Sequence, residues 1–183
     1  MAIVETLITA EEFAQMPDSG MPCELVRGKI VMMNAPSWRH GEVCSNLVDV
    51  LRHFVIPRGL GRVLCNDTGV ITERDPDTVR GADVSYYSYA RVPRGFRPKP
   101  YAHVAPEAAF EVRSPGDRWP EVVAKAQEYL LAGVSVACVL DPDSETIHVY
   151  RNDQSPQVFK AEDRLRLPEI HSEFDVEVCE FFE

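Results

Sequence analysis

Ala108-Ala109-Phe110-Glu111-Val112-Arg113-Ser114 sets one acid inside an apolar run, and Arg80-Gly81-Ala82-Asp83-Val84 does the same upstream. Short runs of this kind read as buried strands. A carboxylate there is costly unless something positive meets it, and a divalent cation is the simplest such partner. With Glu24 before them and Lys125 after them, Asp83 and Glu111 read as an acidic metal site with a cationic assistant. That combination serves metal-dependent phosphodiester hydrolysis.

Outward from these strands, residues 117–132 carry helical spacing, with Val122, Val123, Ala126, Tyr129 and Leu130 on one face and Gly133 as the C-terminal glycine. Residues 134–140 form an apolar run, joined by the Asp141-Pro142-Asp143-Ser144 turn to a strand at 146–150. Upstream, Thr9-Ala10-Glu11-Glu12 is a capping box that predicts a short helix ending near Met16, before Pro17. Residues 23–33 alternate around Arg27-Gly28 as a β-hairpin with Glu24 on its first strand. Ser37 is the N-cap of a long helix whose Val43, Leu47, Val50, Leu51, Phe54 and Val55 share a face, until Pro57 and Gly59 end it. Two short strands at 62–65 and 69–72 and a turn at Asp75-Pro76-Asp77 lead to a strand at 82–86, and 91–100 is a Pro- and Arg-rich loop. The order predicts an α/β domain: a mixed central sheet with a helix packed on each side.

Length and composition fit one domain across 1–183, with 45% hydrophobic and 26% charged residues. No apolar run approaches the roughly 18 residues of a membrane span and the first ten residues lack a signal-peptide pattern, so no membrane association and a cytoplasmic location are expected. The five cysteines stand singly, read as buried reduced thiols, and offer no paired zinc motif. A net charge of -10 argues against a passive nucleic-acid coat protein but not against a nuclease, because the local field decides. Residues 84–106 contain no acid while Arg91, Arg94, Arg97 and Lys99 fall together; beyond Leu140 the chain is heavily acidic. That basic loop, with Tyr86, Tyr87, Tyr89, Phe96 and Tyr101 among and around it, offers phosphate contacts and stacking surfaces, or else folds its aromatics back onto the core.

Thr9-Ala10-Glu11-Glu12-Phe13, Cys23-Glu24-Leu25-Val26-Arg27-Gly28-Lys29, His40, Asp83-Val84, Glu111-Val112-Arg113-Ser114-Pro115, Lys125, Tyr129, Gly133-Val134 and Asp141-Pro142 occur in an order and spacing that resembles the bacterial Uma-type endonuclease family, within the restriction-endonuclease-like PD-(D/E)XK superfamily. The resemblance covers about residues 9–150 and leaves 151–183 as an acidic tail. It implies a restriction-endonuclease-like mixed sheet flanked by helices, Asp83 and Glu111 on adjacent strands with Glu24 and Lys125 alongside, and a homodimer. Ala82 stands where the family usually has proline. Arg113 stands at the lysine place of the superfamily's E-x-K, a lysine this family commonly moves to the following helix.

On these grounds Asp83 and Glu111 are expected to hold Mg2+, or Mn2+ in its stead, with the main-chain carbonyl of Val112 adding a ligand. Partly exposed strand-end carboxylates in salt bridges are the plainer reading. Glu111 and Arg113 share a strand face, so Arg113 is a candidate phosphate contact, while Lys125 is chosen from the resemblance to position or activate water. Lys125 paired with Glu121, and Glu24 paired with Lys29 or Arg27, are the alternatives without function. His40 is a phosphate or outer-shell candidate of low rank. The expected activity is metal-dependent endonucleolytic hydrolysis of DNA. Its rivals are a catalytically silent nucleic-acid-binding or dimerisation module of the same fold, and a metal-dependent hydrolase of small phosphorylated metabolites.

Overall fold

A computed structural model describes residues 7–17 and 20–183. The Thr9 hydroxyl accepts from the Glu12 amide and the Glu12 carboxylate accepts from the Thr9 amide, so helix α1 (Ala10–Gln15) starts at the capping box. Strands β1 (Cys23–Val26) and β2 (Lys29–Met32) form the hairpin. Arg27 and Gly28 both take left-handed φ, 49° and 74°, as a two-residue hairpin turn matched to strand twist requires. Ser37 caps α2 (Trp38–Val55) by accepting from the His40 amide.

The remaining main elements are β3 (Gly61–Glu73), β4 (Thr78–Ser88), β5 (Ala108–Val112), α3 (Trp119–Leu131), β6 (Val136–Asp141), β7 (Thr146–Tyr150) and β8 (Gln157–Lys160). They form an eight-stranded mixed sheet in the order β2-β1-β4-β5-β6-β7-β8, with β3 also paired to β4. β5 and β6 pair in parallel, and α3 supplies the crossover that a parallel pair requires.

Strand alternation sorts the core into two layers. Phe110, Val112, Cys138 and Leu140 join Val43, Leu47, Leu51 and Val55 of α2 in one cluster. Ala109, Ala137 and Val139 join Ala126, Tyr129 and Leu130 of α3 in another. Each fully buried Leu or Phe contributes on the order of 2 kcal/mol. Glu111 therefore lies on the α3 side, where Lys125 and Tyr129 meet it.

Several expectations change. The two strands at 62–65 and 69–72 are one strand, β3, whose register with β4 jumps between Cys65 and Thr68, leaving Asn66 and Asp67 as a bulge with φ of 63° and 53°. Helix α3 begins at Trp119, because the Asp117 carboxylate folds back to accept from the Ser114 amide. The segment 151–183 is more than an acidic tail. It adds β8 to the sheet edge, then β9 (Arg164–Arg166) paired with β10 (Asp175–Glu177) and a 3-10 turn at Val178–Phe181. Its Leu165, Leu167, Phe174, Val178 and Phe181 are almost fully buried in the α2-side core. Of the cysteines, Cys138 is buried, Cys65 is exposed and the other three are half-buried; all are free.

Candidate active site

The β4–β5 register runs Tyr86↔Ala108, Ser85↔Ala109 and Val84↔Phe110, so Asp83 and Glu111 come next in line on neighbouring strands. Asp83 Oδ2 accepts from the Val112 amide at 2.7 Å and lies 3.3 Å from His40 Nε2. Glu111 Oε2 meets Lys125 Nζ at 2.9 Å, and Oε1 accepts from the Tyr129 hydroxyl at 2.7 Å. Lys125 and Tyr129 stand one turn apart on α3, which places both over β5.

Lys125 Nζ also meets Glu24 Oε1 at 3.0 Å and donates to the Gly81 carbonyl at 3.1 Å. Glu24 accepts from the Gly81 amide at 3.0 Å and from Arg80 Nη1 at 2.8 Å, and Arg80 is clamped in turn by Glu128. Glu128 also accepts from Thr72. The result is an alternating chain of charges, Arg80–Glu24–Lys125–Glu111, in a mostly buried setting where each ion has its counter-ion. Of the alternative partners, Glu121 pairs with Arg118 and Arg27 with Glu73, while Lys125 and Glu24 pair with each other.

Burial pushes the Glu111 carboxyl up, the charge of Asp83 adds to that, and Lys125 offsets only part, leaving it at about 7. Burial opposes the charged form of Lys125, yet Glu111 and Glu24 hold its ammonium well above the ordinary range. Glu24 is likewise desolvated, but Lys125 and Arg80 bring its carboxyl below the usual value. At His40, burial is outweighed by the Asp83 hydrogen bond and charge, which raise the imidazole.

The bulge adds Asp67, a residue sequence reasoning passed over. Its Cβ packs against Gly81, where an added methyl group would sit 2.8 Å away, so glycine is what lets the bulge close over β4. Burial and then the charge of Asp83 raise the Asp67 carboxyl. Cys44, Arg80, Glu128 and Tyr129 also join the surroundings of the site. The i, i+4 spacing of His40 with Cys44 was the available signal for the first of these, and the place of Arg80 three residues before Asp83 for the second.

Other expected residues lie elsewhere. Strand β5 ends at Val112, and Arg113 swings toward the β6–β7 turn, where it meets Asp141 at 2.9 Å and Asp143 at 2.8 Å and stacks over Trp119. Arg91 donates to the Ala105, Pro106 and Gly133 carbonyls and pairs with Glu107. Since strands rise about 3.3 Å per residue, Glu107 and Glu111 are separated by roughly 13 Å along the sheet. The basic loop is tied to β3 and to itself: Arg62 of β3 donates to the carbonyls of Val92, Pro93, Arg94 and Phe96, and Arg97 to those of Arg94 and Phe96. Tyr86 and Tyr87 are buried, while Arg94, Phe96, Arg97 and Lys99 are exposed. Among the described residues, no hydrogen bond or ion pair joins this loop to Asp83 or Glu111.

The donor set suits a hard divalent cation. Asp83 and Glu111 offer carboxylate oxygens from adjacent strands with Asp67 close by, and their mutual repulsion in a buried site is what such a charge relieves. Among the described residues no helix is long and apolar enough to cross a membrane.

No curated protein matches the chain. Among solved structures it is similar to one titled "Crystal structure of a putative nuclease belonging to DUF820 from Anabaena variabilis ATCC 29413", with 25% identity, a TM-score of 0.82, and coverage of 96% of this chain and 97% of that one. The family Uma2, described as "Putative restriction endonuclease", matches residues 10–179, from the first helix to the last turn and with every site residue inside it. The chain belongs to the Uma2 family and has its restriction-endonuclease-like fold.

Proposed function

We propose that this protein is a metal-dependent endonuclease that hydrolyses DNA phosphodiester bonds. The observation that carries the reading is the placement of Asp83 and Glu111 at adjacent strand positions, with Lys125 of α3 against Glu111, in a chain of nuclease-family fold. Mg2+, or Mn2+ in its stead, would be held by Asp83, Glu111 and the main-chain carbonyl of Val112, and would supply charge neutralisation and a more acidic water.

The chain's own residues do the rest. Lys125, held between Glu111 and Glu24, presents an ammonium beside the carboxylates, where it orients water and offsets charge gathering on the phosphoryl oxygens. Glu24 fixes that ammonium, and Arg80 fixes Glu24. Tyr129 orients the Glu111 carboxylate, and the Val112 amide orients that of Asp83. His40 reaches Asp83 from α2 and contacts either the carboxylate or an entering phosphate. Arg94, Arg97 and Lys99 are exposed and extend a positive surface for the DNA backbone; Arg91 and Arg113 support the fold around it.

A homodimer is the favoured assembly. Strand β2 ends the sheet, and its Ile30, Val31 and Met32, with Met33, are exposed apolar residues along that edge. Sedimentation of the native protein beside a Val31→Lys variant tests this, with a shift to monomer expected.

Cleavage of supercoiled and linear DNA in Mg2+ and in Mn2+ is the direct test. Asp83→Asn and Glu111→Gln are each expected to lower the rate by about 100-fold or more, and a chelator should abolish it. Metal-dependent DNA binding without cleavage would favour the silent module. Hydrolysis of phosphorylated metabolites alone, insensitive to salt, would favour the small-molecule enzyme.

A further inference from the structure

His40 and Cys44 stand one turn apart on α2, the spacing at which two side chains share a helix face. Cys44 Sγ is 3.5 Å from His40 Nδ1, and His40 Nε2 is 3.3 Å from Asp83 Oδ2. One ligand atom from each of the three residues lies within 4.8 Å of the other two, and all three are half-buried. One ion takes one ring nitrogen of His40, so the 3.5 Å and 3.3 Å contacts, made by different nitrogens, are not both kept. Tetrahedral zinc, with bonds of about 2.0–2.3 Å, has ligand–ligand edges of about 3.3–3.7 Å, and closing a set that lies within 4.8 Å takes a side-chain shift on the order of 1 Å.

The donors differ in kind from the all-oxygen pair Asp83 and Glu111. Thiolate and imidazole select zinc-class cations, whereas carboxylates and carbonyls suit magnesium and manganese. Three protein ligands also leave the fourth tetrahedral position to water, a recurrent open arrangement for zinc.

We propose that Cys44, His40 and Asp83 form a second metal site that takes a thiophilic divalent cation of the zinc class. On binding, a metal–sulfur bond replaces the S–H bond of Cys44 and the proton leaves to solvent. No oxidation or reduction is involved. Asp83 is common to both sites, so an ion held by Cys44 withdraws this carboxylate from the magnesium set. The resulting inhibition rests on the nuclease reading; the binding does not.

Cobalt(II) reports the site without reference to cleavage. Titrated into the reduced native protein, Co2+ should produce a near-ultraviolet thiolate-to-cobalt absorption that saturates at equimolar metal, is displaced by Zn2+, persists in Cys65→Ser and vanishes in Cys44→Ser. In the native protein, Zn2+ should also slow alkylation of Cys44 by about tenfold or more while Cys65 stays reactive. Peptide mass spectrometry reads this protection, which stands even where Cys44→Ser fails to fold. An absent absorption, one that survives Cys44→Ser, or alkylation of Cys44 unaltered by zinc overturns the proposal. The same signals in a protein that cleaves no nucleic acid support the site while failing the nuclease reading.

Discussion

Lys125 meets Glu111 at 2.9 Å and Glu24 at 3.0 Å with its side chain 17% exposed, whereas Arg164 and Arg166 meet Asp175 at 2.7 and 2.9 Å with side chains 49% and 74% exposed. Bond lengths do not separate the two clusters; surroundings do. In the β9–β10 ladder, water stands ready to replace either partner, and dissolved salt screens the attraction. Around Lys125 neither partner has that recourse, so each ion depends on the others. Held geometry of this kind suits a site that must present charge to a substrate, while the surface ladder only trims a hairpin.

The sharpest way to break the contrast is to remove the central cation. Lys125→Met leaves Glu24 and Glu111 facing each other without their shared partner, and a loss of about 3–5 kcal/mol in urea unfolding is expected. The acids escape part of that cost by taking up a proton, so the loss should shrink in mildly acidic buffer.

A smaller effect is expected where one partner is buried and the other is not. Asp77 is 7% exposed and accepts from the Ala10 amide at 2.7 Å and from the half-open Arg74 at 2.8 Å, tying α1 to the sheet. Asp77→Ala should cost about 1–3 kcal/mol, because the Ala10 amide loses its acceptor. Burial disfavours the Asp77 carboxylate, but the Ala10 amide and Arg74 outweigh it and hold its pKa below the ordinary 3.8. The folded form thus binds its proton less readily than the unfolded one, so this stabilisation is complete above pH 3.8 and lost as pH falls through the lower native value. The gap between native and Asp77→Ala proteins should therefore close under strongly acidic conditions; a gap constant down to pH 2 would contradict the assignment.

The least effect belongs to the surface ladder. Arg166→Ala should leave the thermal midpoint unchanged within error at physiological salt, and a clear drop would show that the ladder is not equivalent to an exposed pair.

Much of the candidate site's surroundings was legible because its signals are local. A capping box, a two-residue turn and two helical stripes define α1, the hairpin, α2 and α3, and strand alternation puts Glu111 opposite the Val112 core face. Lys125 was reachable through the family resemblance, and the structure brings it to Glu111. What was not legible depends on contacts distant in sequence. Leu165, Leu167, Phe174 and Phe181 have neither helical nor alternating spacing over any useful length, and their burial follows from the surface that α2 and the sheet leave open. The face shared by Glu111 and Arg113 failed for a related reason: alternation stops at Val112, and Asp141 and Asp143 then draw the guanidinium aside. Asp67 was hidden by the bulge, which no residue type in 62–72 announces without its partner strand.

Glu24 and Lys125 come from distant parts of the chain, yet each fixes the other's position. A polypeptide emerging from the ribosome amino end first will display both strand acids before the ammonium that steadies them has been synthesised and docked. Until then Glu24 and Glu111 lack the ammonium that they share in the folded protein. The long-range ion pair is therefore completed only when α3 docks: a half-made chain carries an incomplete cluster, and the cluster closes together with the sheet around that helix.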